Sequence, residues 1–114
     1  MNTWDVVILR ATFADASGAK MRPAIVVSKN EYHNAYADGI FLLVTSNVER
    51  QAQYDILIPE SHPEFRRTGL SKSSAIRVDK MMFLNRSLVC RVLGSLGEGL
   101  KAEVRLKLAD LWQI

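Results

Sequence analysis

A single cysteine, Cys90, excludes an intrachain disulfide and any cysteine-based metal site. Its neighbours Leu88, Val89, Val92 and Leu93 are apolar, so the thiol is expected to be buried and inert. No apolar run approaches the roughly 20 residues that span a bilayer, so no membrane segment is expected. The opening Met-Asn-Thr-Trp-Asp lacks the basic and apolar regions of a signal peptide. These absences place the chain in a reducing cytoplasm. Internal repeats, low-complexity tracts and linkers are missing too, so residues 1–114 read as one domain. There is no βαβ alternation and hence no parallel nucleotide-binding sheet. Gly94, Gly97 and Gly99 precede a helical pattern, but the lysine of a P-loop and the spacing of a dinucleotide fingerprint are absent. No cofactor is expected. His33 and His62 lie far apart, in a turn and a loop, and read as surface residues without a task. No His/Asp/Glu spacing suggests a metal site, and no nucleophile elbow is present.

What remains is an ordinary globular composition, with 48% apolar and 24% charged residues. The net charge of +3 suits an anionic partner without requiring one. Val6 to Phe13 reads as a first strand and the small, polar stretch Ala14 to Met21 as a loop. Pro23 is expected at the first position of a second strand, Ala24 to Ser28, where proline is tolerated. Asn30 to Asp38 holds a short helical turn closed by Gly39. Ile40 to Thr45 is continuously apolar, the mark of a central strand covered on both faces. Tyr54 to Ile58 alternates and stops at Pro59. Glu60 to Lys72 reads as a long polar loop, a kind that is often functional. Ser74 to Leu84 forms the next strand, Asn85-Arg86-Ser87 a turn, and Leu88 to Leu93 the last strand. Leu100, Val104, Leu108 and Leu111 then recur at helical spacing. Many short strands followed by one helix predict a mainly β protein, a small antiparallel barrel packed by a C-terminal helix.

Three patches carry chemistry. In Lys20-Met21-Arg22-Pro23, the proline pushes Arg22 toward extended backbone and so aims its side chain. The plain alternative is a solvated charge guarding a strand end. Thr45-Ser46-Asn47, at the exit of the most buried strand, offers hydroxyl donors to a phosphate, or simply a hydrogen-bonded turn. In Ile76-Arg77-Val78-Asp79-Lys80, side chains two apart share a face, so Arg77 and Asp79 stand together above buried Ile76 and Val78. That pair is either a phosphate-binding, proton-moving couple or an ordinary surface ion pair of small consequence. Arginines, hydroxyls and one carboxylate together fit metal-free attack on a phosphodiester. RNA brings its own nucleophile, the 2′-hydroxyl, and needs only a base, an acid and cations around the phosphorane.

Trp4-Asp5-Val6-Val7, Arg22 to Ser28, Leu43-Val44-Thr45-Ser46, Ile76 to Lys80 and Val92 to Leu96 stand in an order and spacing that resembles the MazF/PemK family of toxins. The resemblance covers almost the whole chain. It implies an SH3-like β-barrel with a C-terminal helix, a homodimer, and metal-independent cleavage of single-stranded mRNA at short sequences. It also implies inhibition by an antitoxin with an acidic, amphipathic segment. By the resemblance, Arg22 binds phosphate and moves protons, Thr45 lies near the scissile phosphate, and Arg77 with Asp79 act as acid and base. Some members carry a histidine in the loop before Arg-Pro. Here that loop runs Asp15 to Met21 without one, so Lys20 is the substitute cation and Asp79 the default base. The expected RNA contacts are Lys20, Ser46, Arg66, Arg67, Lys72 and Lys80. The alternative is a non-catalytic barrel toxin or nucleic-acid-binding protein that acts by binding a target such as DNA gyrase.

Overall fold

The computed structural model describes residues 1–12 and 19–113. Six strands, β1 (Asp5–Thr12), β2 (Ala19–Val26), β3 (Asp38–Thr45), β4 (Asp55–Ile58), β5 (Ser74–Asn85) and β6 (Val89–Ser95), form one sheet. Its spatial order is β4-β5-β3-β2-β1-β6, and every pairing is antiparallel. Three helices complete the described chain: α1 (Asn30–Ala35), α2 (Phe65–Thr68) and α3 (Glu98–Trp112). This is the expected mainly β architecture with a terminal helix. No ladder joins the edge strands β4 and β6 among the described residues. Instead α2, which follows β4 in the chain, packs on β6. α2 thus covers the β6 edge, and the sheet stays open between β4 and β6 among the described residues.

Both faces of the sheet are dry. On one, Val6, Ile25, Leu42, Val44, Ile76 and Val78 pack with Leu96, Leu100 and Val104 around α3. On the other, Val7, Leu9, Ala24, Val26 and Phe41 form a second cluster. β3 serves both: Phe41 enters one cluster, Leu42 and Val44 the other. Its place between β5 and β2 matches the continuous apolar run that marked it as central.

Several expectations change. β2 begins at Ala19, so Lys20, Met21 and Arg22 are strand rather than loop, and Pro23 lies inside the strand opposite Ile8. The β2–β3 ladder starts only at Ala24. At Pro23, β2 therefore has β1 as its sole strand neighbour, an edge position where a missing N–H is harmless. The expected end of the first strand at Phe13, and the loop residues 14–18, lie outside the described residues. The stretch 60–72 is not a mere polar loop: it folds α2, buries Thr68 and Leu70, and packs Phe65 on the larger cluster. Cys90 is exposed, because β6 is an edge strand paired only with β1. Its Sγ lies 3.9 Å from the Met21 sulfur. His33 is buried, not superficial, because α1 folds it inward where Ser28 meets its Nε2 and the Arg86 guanidinium grips its backbone carbonyl.

α2 docks on β6 through backbone, and two glycines allow it. Gly69 has φ +74°, and a Cβ there would stand 2.2 Å from the Leu93 carbonyl oxygen. A Cβ on Gly94 would stand 2.2 Å from the Arg67 carbonyl oxygen. The same segment serves α3. The helix's N-cap residue is Gly97, which has no side chain to offer its free N–H groups. Glu64 supplies the cap from 35 residues away: Oε2 accepts from Gly99 N–H (2.8 Å) and Oε1 from Leu100 N–H (3.0 Å). A carboxylate also suits the positive end of the helix dipole. At the far end, Lys107 Nζ donates to the Gln53 carbonyl (2.6 Å). The Tyr54 hydroxyl bonds Asp110, and burial, that bond and the Asp110 charge together raise its pKa above 10.0.

Two stability outcomes follow. Glu64→Ala should lose about 1–2 kcal/mol, the scale of a lost helix cap, while Glu64→Gln should lose less. Urea denaturation with an unchanged slope measures it. His33 responds to acid. Burial chiefly, with nearby positive charge including Arg86, lowers its pKa below 6.5. The unfolded chain then takes up the proton more readily than the folded one. Stability should therefore fall as pH drops below about 6.5, by at most about 1.4 kcal/mol per pH unit from this group. His33→Gln should flatten that part of the curve when stability is measured between pH 5 and 8.

Candidate functional site

The site lies where the double-faced sheet runs out of apolar residues. β3 ends at Thr45, followed by exposed Ser46 and Asn47. Thr45 Oγ1 accepts from Asn47 N–H (3.1 Å), which fixes the hydroxyl oxygen and leaves its own proton to donate. The β2–β3 register runs Val26–Phe41, Ile25–Leu42, Ala24–Leu43. Beyond the end of that ladder, two residues further along each strand, stand Arg22 and Thr45. On the other side of β3, Leu43 pairs with Arg77 and Thr45 with Ala75. Arg77 is thus the diagonal neighbour of Thr45, a separation of about 7–8 Å between backbones. The sheet sets Thr45 and Arg77 side by side and brings Arg22 to the same end of β3, although the three are 55 residues apart at the extremes.

A cleft of about 210 Å³ opens beside Arg22, lined also by Pro23, Ser46, Leu70, Lys72 and Ser74. It joins Arg22 to two of the expected RNA contacts, Ser46 and Lys72. Arg66 and Arg67 do not line it. They are exposed on α2, where Arg67 Nε donates to Ser95 Oγ (3.3 Å). Lys20 pairs with Ala11 along β2, and Lys80 is exposed on β5.

Arg77 and Asp79 do meet, but not through plain strand alternation. The β3–β5 ladder jumps from Leu42–Met81 to Leu43–Arg77, so Val78, Asp79 and Lys80 form a bulge. Ile76 and Val78 share a cluster with Met81, so the in–out alternation changes phase across it. Val78 N–H turns to the Tyr54 carbonyl (3.1 Å), and Asp79 and Lys80 swing outward. Bulges of this kind re-aim side chains. Asp79 Oδ1 ends 3.8 Å from Arg77 Nε.

Two further members were missed by sequence reasoning. Arg50, in the short 3-10 turn Val48–Arg50, makes a bidentate pair with Asp55, both bonds at 3.1 Å. Its Nη2 lies 3.8 Å from Asp79 Oδ1. Asp55 is buried in β4 and stands opposite Arg77 in the β4–β5 register. An acid at the head of the alternating run Tyr54 to Ile58 was the one signal that pointed to it. Among the described residues, no group of three or more His, Cys, Asp or Glu side chains is placed to hold a metal ion. No helix among them is long and apolar enough to cross a membrane.

This arrangement offers an anion a row of guanidinium groups, two hydroxyls and an ammonium, with one exposed carboxylate in reach. The fold around it is shared with solved structures. MazF of a MazE–MazF complex from Deinococcus radiodurans superposes with a TM-score of 0.78 at 24% identity, covering 100% of this chain and 97% of that one. An endoribonuclease in complex with its cognate antitoxin, from a mycobacterial species, gives 0.77 at 16% identity, covering 100% and 96%. The Mycobacterium tuberculosis toxin MazF-mt6 gives 0.76 at 14%, covering 96% and 97%. Comparison with curated protein sequences gives no match. The family model of the PemK-like, MazF-like toxins of type II toxin–antitoxin systems matches residues 2–112, which is nearly the whole chain, and the chain belongs to that family.

Proposed function

We propose that this toxin is a cytoplasmic endoribonuclease that cuts single-stranded mRNA by attack of the 2′-hydroxyl on the adjacent phosphorus. The observation that supports the reading is the placement of Arg22, Thr45 and Arg77 at one end of the sheet, with Asp79 Oδ1 3.8 Å from Arg77 Nε across the bulge. The mycobacterial neighbour, an endoribonuclease bound to its antitoxin, supports it.

In this mechanism Asp79 takes the proton of the 2′-hydroxyl. The 2′-oxygen bonds phosphorus and the bond to the 5′-oxygen breaks. Arg77 protonates the departing oxygen, giving a 2′,3′-cyclic phosphate and a 5′-hydroxyl. Arg22 and the Thr45 hydroxyl stabilise the charge that builds on the phosphorane oxygens. Lys20, Ser46, Lys72 and Lys80 hold the strand on either side of the cut. The active species is a homodimer, whose two-fold contact covers exposed apolar side chains such as Phe83, Val92 and Trp112. An antitoxin with an acidic, amphipathic segment binds across the basic surface that includes Lys20, Arg66, Arg67 and Lys72.

Purified protein should cut labelled single-stranded RNA in EDTA and leave inert a substrate with a 2′-deoxy sugar at the cut. Arg22→Ala, Arg77→Ala and Asp79→Ala should each lose about a hundredfold or more in rate while remaining folded, and Thr45→Val should lose activity with its shape preserved. Cleavage of the 2′-deoxy substrate would disprove the nucleophile, and wild-type-like cleavage by Arg22→Ala would move the site elsewhere. Separately, Arg66→Glu with Arg67→Glu should weaken antitoxin binding at low salt, where charge steering is strongest. Titration of the antitoxin at two salt concentrations measures that.

A further inference from the structure

Asp79 lies between two guanidinium groups and closes with neither. Its Oδ1 stands 3.8 Å from Arg77 Nε and 3.8 Å from Arg50 Nη2, beyond hydrogen-bond length on both sides. Arg77 Nε is buried and lacks a hydrogen-bond partner. Left to themselves, a carboxylate and a neighbouring arginine N–H close into a short charge-assisted bond. Something holds this pair open.

Arg50 is the group in position to do so. Its guanidinium is fixed by both oxygens of Asp55, whose side chain is 1% exposed. Asp55 Oδ2 also accepts from Ala52 N–H (3.2 Å), so the clamp is tied to the backbone. An arginine locked in this fork cannot swing to Asp79, yet it attracts the carboxylate from the side opposite Arg77. The segment that carries Arg50 starts at the site's own hydroxyls, Thr45 and Ser46, and returns to its carboxylate, with Gln51 in the left-handed region closing the turn.

We propose that Arg50, clamped by Asp55, is a positioning residue that holds Asp79 off Arg77 and so keeps the Asp79 carboxylate in place to accept a proton. This rests on the RNA-cleaving reading above. Arg50 itself touches no reacting atom. It acts by balancing the pull on Asp79, which keeps the carboxylate available to accept a proton and the guanidinium available to donate one.

The test replaces Arg50, a partly exposed residue, by Gln and by Lys in the full chain. Arg50→Gln should let Asp79 close on Arg77. The Arg77 Nε–Hε resonance should then move downfield in ¹H–¹⁵N spectra. At a temperature where both proteins are folded, kcat on RNA should fall about tenfold or more with KM unchanged, although Tm falls because buried Asp55 loses its partner, and Arg50→Lys, which keeps the charge without the fork, should recover part of kcat. An unmoved Arg77 resonance, or an unchanged kcat, overturns the proposal. If the resonance moves while wild-type protein cuts no RNA, the positioning geometry stands and the RNA reading is what fails.

Discussion

β3 is the strand on which this molecule depends, because it is buried on both faces. Phe41 is committed to one cluster, Leu42 and Val44 to the other, and no polar side chain fits between them. Polar side chains around β3 are therefore confined to two kinds of place. One is the end of the strand, where Thr45 and Ser46 emerge as the apolar run stops. The other is the neighbour β5, where the ladder slips and Asp79 with Lys80 leave the sheet. A strand with one wet face could have carried polar groups along its length. Here the dry interior gathers them at one end, and Arg22 reaches the same end from β2 because the two strands run antiparallel.

Much of this was legible in the residues. The unbroken run Ile40 to Thr45 announced a central strand, and the leucines and valine at 100, 104 and 108 announced the helix that packs beside it. The pairing of Arg77 with Asp79 was also visible, though for an incomplete reason. Strict alternation over 76–80 gives the right neighbours, but a bulge has no signature in a run of branched and charged residues, so the outward swing of Asp79 could not be read. Arg50 was invisible for a related cause: it sits in a short irregular turn, and its partner Asp55 reads as the polar half of an ordinary edge strand. Burial of His33 depends on Arg86, 53 residues away, and exposure of Cys90 depends on which strand lies at the sheet's edge. Apolar neighbours in sequence say little about either.

The charges of the site divide into two groups of different character. Arg50, Asp55, Arg77 and Asp79 are two cations and two anions in a partly dry cluster, self-compensated and geometrically constrained. Arg22 and Lys72 stand apart from that cluster, beside the cleft. On the proposed reading, a phosphate chain meets the second group at the cleft and is oriented by the first.

The Glu64 cap makes the terminal helix depend on a distant part of the chain. α3 cannot complete its own N-terminus, because Gly97 offers nothing and the carboxylate that does so belongs to a segment separated from it by two strands in the chain. That segment, in turn, seats against β6 where Gly69 and Gly94 let backbone meet backbone. The last helix of the chain is thereby coupled through Glu64 to the α2 seam, and through that seam to the edge strand β6, so a change at the seam is felt at the start of α3.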